Sequence, residues 1–168
     1  MTTGTMTLND LLVELGSLGD NTDTAPQRVG ARLIESYFDS YNSNNHPDTE
    51  ATANLLYFLT DIQVRDYALG LINPAMHAIQ VPALEYLLNA APTDTEYVNA
   101  PATLLATLHY EIDEVKEAFL VLSNAAEDYS LAQLLRRIFT GGWPAGAFAG
   151  MRAELHPQVT AGIFGEDN

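Results

Sequence analysis

The chain has 168 residues, of which 22 are acidic and 7 basic, and its formal net charge at pH 7 is -15. So acidic a surface cannot neutralise a run of phosphates, which excludes a general nucleic-acid-binding protein and disfavours docking on an anionic membrane. No cysteine is present, which excludes disulfides, thiolate metal sites and cysteine nucleophiles. We expect a single helical domain over residues 1–168, with flexible tails at 1–7 and 156–168.

Apolar residues recur at helical spacing along the whole chain, and no segment alternates with the period of two that a half-buried strand shows. A first helix is predicted after Thr7, which has the hydroxyl of a good N-cap. A second begins at Pro26, because proline is favoured in the first turn. Asp48 or Thr49 is the predicted cap of a third helix.

The next helices are marked by further capping residues and prolines. Asp61 either caps a fourth helix or lies on the surface of one longer helix, and Pro74 breaks the chain after it. A fifth helix is expected over residues 82–91. Thr93 and Glu96 have the spacing of a capping box, in which each side chain bonds the other residue's backbone N–H, and predict the start of a sixth helix.

The last third of the chain predicts three more helices. Asp113 is expected to cap the seventh, and Ser130 with Gln133 forms a second capping-box pattern ahead of the eighth. Gly141-Gly142 then ends that helix. A short final helix is predicted over residues 145–155. The sequence therefore predicts an all-α domain, a compact bundle or short superhelix of about seven to nine short helices.

Residues 101–128 have the spacing of one tetratricopeptide-like helix pair. Small residues at 106, 118 and 125 would let two antiparallel helices approach closely, and Phe119 would fill the groove between them. A shift of 34 residues does not reproduce the pattern, so a repeat array is not indicated. An ordinary antiparallel helix pair explains the spacing equally well.

Several motifs are shared with one family. Residues 61–66 read Asp-Ile-Gln-Val-Arg-Asp at a helix boundary, and residues 128–135 read Asp-Tyr-Ser-Leu-Ala-Gln-Leu-Leu after a helix pair that includes 102–106 and 118–122. Gly141-Gly142-Trp143-Pro144 follows as a stop. Over about residues 55–143 the chain resembles the C-terminal helical part of the actinobacterial domain-of-unknown-function family 4192.

The resemblance implies an actinobacterial or actinophage source and a helical, tetratricopeptide-like half. It implies no activity and no catalytic residues. A stand-alone copy encoded by a phage is a further expectation. No basic start and apolar run of a signal peptide is present, so we expect the cytoplasm of a bacterium, or of the host of a phage.

His109, Glu111, Asp113 and Glu114 form the densest group of metal-ligating or acid-base side chains. On a helix, positions 109 and 113 share a face, which suits a weak divalent-metal or acid-base site. The favoured alternative is a solvated helix end, because no pair of Glu-x-x-His motifs accompanies the group. We predict no catalytic residue, no bound metal and no cofactor.

Trp143 is the only tryptophan and lies between Gly142 and Pro144. It either packs the last helix onto the bundle or anchors a partner, since tryptophan is enriched at binding hot spots. His46 and His156 each precede a proline and are expected in surface loops.

The composition favours a non-enzymatic module that binds a basic protein or basic peptide segment, with no direct contact to nucleic acid or membrane. The alternatives are a nucleic-acid mimic that inhibits a DNA-binding protein, a weak metal- or carboxylate-based enzyme, and a homo-oligomer with an architectural role. The candidate partner-binding residues are Trp143, Glu111, Asp113, Glu114 and Glu117.

Overall fold

The computed structural model describes residues 4–17 and 24–165. These residues form an all-helical fold, which confirms the predicted class and the predicted number of helices. The helices of the described residues are α1 (Leu8–Gly16), α2 (Thr24–Ser40), α3 (Thr49–Phe58), α4 (Ile62–Leu71), α5 (His77–Ala90), α6 (Asn99–Glu111), α7 (Val115–Leu122), α8 (Ser130–Thr140) and α9 (Ala145–Phe164). Two single 3-10 turns, Pro74–Met76 and Glu96–Val98, precede α5 and α6.

Helix α6 is the centre of the fold, and every residue from 100 to 110 is buried. It packs most extensively on α7 and also contacts α4, α5, α8 and α9, which explains why it is apolar on all sides. Two threonines in this apolar environment donate hydrogen bonds from their hydroxyls to backbone carbonyls one turn earlier in the same helix. Thr103 donates to the carbonyl of Asn99 at 2.8 Å, and Thr107 donates to that of Thr103 at 2.9 Å.

Three predicted helix caps are confirmed. Thr7 and Asp10 bond each other's backbone N–H in a reciprocal box at the start of α1. Asp48 accepts the N–H of Ala51, and Asp61 accepts the N–H groups of the first turn of α4. Each cap satisfies backbone donors that have no partner within the helix.

Both predicted capping boxes in the second half are wrong. Ser130 is already helical, and Tyr129 takes the N-cap position because its ring and hydroxyl are held against Arg65. The chain enters α6 through a 3-10 turn that follows Thr95, whose hydroxyl bonds back to Pro92 instead of capping the turn.

The C-terminal helix is longer than predicted. Helix α9 continues past Pro157 to Phe164, so residues 156–164 are helical where a tail was expected. Ile163 is fully buried, and its carbonyl accepts a hydrogen bond of 2.9 Å from Arg28 on α2. Packing against α2, α4 and α6 compensates for the hydrogen bond that the proline removes. Residues 1–3 and 166–168 of the expected tails at 1–7 and 156–168 lie outside the described residues.

The helix pair α6–α7 only partly follows the expected tetratricopeptide-like pattern. The small residues Ala106 and Ala118 are buried. Phe119, however, is 41% exposed and lies with its edge against Phe139 of α8. The likeness to that repeat stays a prediction. In the described part of the chain, no helix has both the length and the apolar character needed to cross a membrane.

Candidate partner-binding site

In the turn between α6 and α7 the backbone folds back on the end of α6, and Glu114 lies against the last turn of that helix. Asp113 has φ of 65°, and its N–H donates to the carbonyl of Tyr110 at 3.2 Å. The N–H of Glu114 donates to the carbonyl of His109 at 2.8 Å. These two bonds form a Schellman motif, which satisfies carbonyls that the helix end leaves free. Asp113 therefore ends α6, and the prediction that it caps α7 is wrong.

The turn between α8 and α9 has the same construction. Gly142 has φ of 65°, and the N–H groups of Gly142 and Trp143 donate at 3.2 Å to the carbonyls of Phe139 and Ile138. The predicted stop at Gly141-Gly142 is confirmed, and the left-handed residue is the second glycine. This geometry fixes the direction in which Trp143 leaves the helix.

Tyr110 brings the two turns to the same end of the bundle. Its hydroxyl donates a hydrogen bond to the carbonyl oxygen of Trp143, and its ring stacks on Phe139 with centroids 4.4 Å apart. Phe119 of α7 meets the same Phe139 ring edge-on at 5.6 Å. We call Tyr110, Phe119, Phe139 and Trp143 the aromatic patch.

Two members of the aromatic patch are open to solvent. Trp143 is 45% exposed and Phe119 is 41% exposed, whereas Tyr110 and Phe139 are buried. Trp143 lies against Gly141, where an added methyl group would be 3.4 Å from the indole. Large apolar side chains held on a rigid base but left in water are characteristic of binding anchors.

Three of the predicted acidic residues are exposed near this end. Asp113 and Glu114 occupy the α6–α7 turn, and Glu117 lies on the first turn of α7. The carboxylate of Glu114 is 2.7 Å from Nδ1 of His109, which requires that nitrogen to carry the proton. His109 is otherwise buried, so it orients Glu114 at the surface.

Glu111 does not belong to the exposed surface, and its prediction as a partner-binding residue is wrong. Its side chain is only 1% exposed and is bonded through both oxygens to Arg152 of α9. Burial raises the pKa of Glu111, against the opposing effect of the Arg152 hydrogen bonds and charge. The sequence has no local signal for this pair, because 41 residues separate its members.

The four candidate metal or acid-base residues do not converge. Glu111 faces Arg152, His109 faces Glu114, and Asp113 ends a helix with left-handed backbone. Across residues 4–17 and 24–165, no three His, Asp or Glu side chains are grouped so that they could hold a metal ion. The predicted metal- or carboxylate-based enzyme therefore has no supporting site there.

Trp143 stands out in the sequence as its one tryptophan, whereas the residues around it in the aromatic patch do not. Tyr110 and Phe139 were hidden among other apolar positions of amphipathic and buried helices. The sequence carries one signal for them. Each of these two aromatic residues lies in the last turn of its helix, close to the predicted end of that helix.

A scan against family models matches residues 9–145 of the chain to a domain of unknown function, DUF4192. The match starts well before the segment 55–143 on which the sequence resemblance depends, and it includes both turns of the aromatic patch. No curated protein and no solved structure matches the chain. Since the family model covers most of the sequence, the chain belongs to the DUF4192 family of domains of unknown function.

Proposed function

We propose that this chain is a non-enzymatic interaction module that binds a basic protein or basic peptide segment at the end of the bundle where the two Schellman turns meet. The observation that carries the proposal is the exposure of Trp143 and Phe119 beside the buried Tyr110–Phe139 stack, which bonds the backbone carbonyl of Trp143 and meets the ring of Phe119. A partner that covers these two rings removes their apolar surface from water. Because the rings are already ordered, binding costs little conformational entropy.

The charge of the chain supports a basic partner. Asp113, Glu114 and Glu117 are exposed at the same end, and the whole chain carries a net charge of -15. Such a field speeds the approach of a cationic partner and repels acidic ones. We expect the bound segment to contain an apolar or aromatic residue for Trp143, flanked by Lys or Arg.

The setting of this function is a proposal as well. We propose a bacterial cytoplasm and an actinobacterial or phage source, and the use of six arginines against one lysine supports this setting. The position of the chain as the C-terminal helical part of a larger family architecture also stays a prediction.

Selection of random peptides displayed on phage, with the purified protein as bait, tests the proposal. We expect the selected peptides to be enriched in Lys and Arg around an apolar residue. Trp143→Ala and the double variant Glu114→Gln/Glu117→Gln should each lose binding of these peptides. Binding should also weaken as salt is raised, because screening reduces attraction between exposed charges.

The matched control is the double variant Val13→Ser/Glu14→Gln on α1. Val13 is also strongly exposed and Glu14 is an exposed acid, but both lie on a helix that packs mainly on α3. This variant should bind the selected peptides as the parent does. Selected peptides without basic enrichment, or equal losses in the control, would overturn the proposal. Self-association in sedimentation that disappears in Trp143→Ala would instead assign the surface to a homo-oligomer.

A further inference from the structure

A second surface feature is unrelated to the aromatic patch. A cavity of about 440 Å³ lies between α4, α8 and α9. Arg65, Arg137 and Arg152 line it, which is half of the arginines in the chain. We call it the arginine cleft. Its volume falls in the range of about 300–1,000 Å³ that is typical of small-molecule sites.

The walls of the arginine cleft are largely apolar. Leu134 of α8 is 36% exposed and Leu155 of α9 is 50% exposed, and Phe148 and Met151 also line the cavity. Both leucines line the same cavity, and the described residues leave each of them partly exposed to water. An apolar molecule between them would remove that surface from water.

The three arginines are not equivalent. Arg152 uses its guanidinium on Glu111 and on the carbonyls of Leu69 and Ile72, so it has almost no donor left. Arg65 is bonded to Asp66 at 2.6 Å and to the hydroxyl of Tyr129 at 3.2 Å. The Arg137 side chain makes no hydrogen bond or ion pair with any residue of 4–17 and 24–165, and all five of its N–H groups are open to a ligand.

The local charge of the arginine cleft is opposite to that of the chain as a whole. Asp66 is the one acidic residue in the lining, and it is already bonded to Arg65. His156 adds no charge near neutral pH, because burial and the charge of Arg152 lower its pKa. Since Arg65 is paired with Asp66 and Arg152 with Glu111, the positive charge left unbalanced among the described residues of the lining is that of Arg137, in a protein with a net charge of -15.

We propose that the arginine cleft binds a medium-sized amphipathic anion, in which an apolar body covers Leu134 and Leu155 and one carboxylate or phosphate group bonds to Arg137. The planar fork of a guanidinium can bond two oxygens of either group at once, and such charge-assisted bonds are among the strongest in proteins. This proposal is independent of the basic partner, since the two sites use different residues.

The base of the arginine cleft is built for close packing. Gly70 of α4 faces the imidazole of His156 on α9, and a methyl group at Gly70 would lie 1.8 Å from Nδ1 of that ring. Only a glycine lets the two helices approach to this distance. The floor of the cleft is therefore rigid, while the opening between Leu134 and Leu155 stays accessible, as a preformed ligand site requires.

Isothermal titration calorimetry with four ten-carbon probes tests the proposal. Decanoate and decyl phosphate carry the expected anionic head, decanol is neutral, and decyltrimethylammonium is cationic. We expect at least one anionic probe to bind at least about tenfold more tightly than decanol and decyltrimethylammonium. A single charge-assisted hydrogen bond is enough for a difference of this size. The stronger of the two anions identifies the head group. Equal binding of all four probes, or no binding of either anion, would overturn the proposal.

Two pairs of variants place the ligand. Arg137→Gln should weaken binding of the anionic probe about tenfold. Arg136→Gln removes the same charge from the adjacent residue, which does not line the cleft, and should change the affinity by less than about twofold. Leu155→Asp should abolish binding, whereas Val13→Asp on the distant exposed face of α1 should not. Equal effects of both members of a pair would show that the probe binds elsewhere and would contradict the proposal. Binding by the Trp143→Ala variant should be unchanged.

Discussion

Arg152 on α9 holds Glu111 at the end of α6 through both carboxylate oxygens, and both side chains are almost completely buried. The Nε–Oε2 distance is 2.8 Å. The same guanidinium bonds to the carbonyls of Leu69 and Ile72 at 2.7 and 3.2 Å. One side chain therefore joins α9 to α6 and to the end of α4, where it bonds the carbonyl of Ile72 and adds a second donor to that of Leu69.

The first prediction concerns this ion pair. Arg152→Met should lower the free energy of unfolding by about 3–5 kcal/mol, because it leaves Glu111 charged and buried without a partner. The double variant Glu111→Leu/Arg152→Met should recover a large part of that loss, since no buried charge remains. The recovery should be incomplete, because the carbonyls of Leu69 and Ile72 still lose their donor.

Urea unfolding of the four proteins in this double-mutant cycle measures the effect. Arg136→Met is the control for loss of an arginine, since Arg136 makes only long bonds of 3.3 and 3.4 Å to two carbonyls. Additive losses from Glu111→Leu and Arg152→Met would contradict the predicted coupling between them.

A second prediction concerns the two Schellman turns. Gly142→Ala should destabilise the protein by about 1–2 kcal/mol, because an alanine at φ of 65° brings its Cβ too close to the backbone. Asp113→Gly, at an equivalent position of the other turn, should not destabilise and should gain up to about 1 kcal/mol. Thermal unfolding compares the two variants directly. A loss on Asp113→Gly would indicate that its carboxylate has a structural role that the turn geometry does not require.

A third prediction concerns close helix packing at Gly30 of α2. A methyl group there would lie 2.9 Å from Cβ of Phe58 and from Cγ2 of Val64. We expect Gly30→Ala to lower the free energy of unfolding by about 1–3 kcal/mol, since overpacking forces helices apart. Gly150→Ala is the matched control. Gly150 is exposed in α9 with no atom within 4 Å, so this variant should gain up to about 1 kcal/mol from helix propensity. The same sign for both variants in chemical denaturation would refute the packing argument.

Local capping signals and the helical period were enough to predict the fold class. Thr7, Asp48 and Asp61 were identified because each cap is a bond between a side chain and a backbone group two or three residues away. Asp113 was misplaced because aspartate suits both an N-cap and a left-handed turn, and only the path of the following helix distinguishes them. The helix past Pro157 depends on tertiary packing of Ile163, which no local pattern reveals.

The candidate sites were harder to predict because their members are distant in sequence. Trp143 could be identified as unusual, but its support by Tyr110 requires a contact across 33 residues. In the sequence Glu111 falls into one group with the acids Asp113 and Glu114, which are exposed in the structure. Its partner Arg152 is on another helix, so burial of the pair could be known only from the fold.

The last prediction is the pH dependence that His156 confers. Its ring packs against Tyr67 with centroids 5.1 Å apart, and its Nδ1 is buried without a hydrogen-bond partner among the described residues. Burial and the charge of Arg152 lower its pKa below the ordinary value of 6.5, and the charge of Glu35 opposes them. Protonation is therefore less favourable in the folded than in the unfolded state.

The sign of the effect follows from that difference. Above about pH 6.5 the imidazole is neutral in both states, and the stability it contributes is complete. As the pH falls below 6.5, the unfolded chain takes up the proton first, and stability is lost until the pH passes the lower pKa of the folded state. Urea midpoints from pH 8 to 5 should decline more steeply for the parent protein than for His156→Gln. The difference between the two curves isolates His156, because Glu111 and every other titrating group are common to both proteins. Parallel curves would show that the imidazole titrates alike in the folded and unfolded chain, in contradiction to its burial against Gly70.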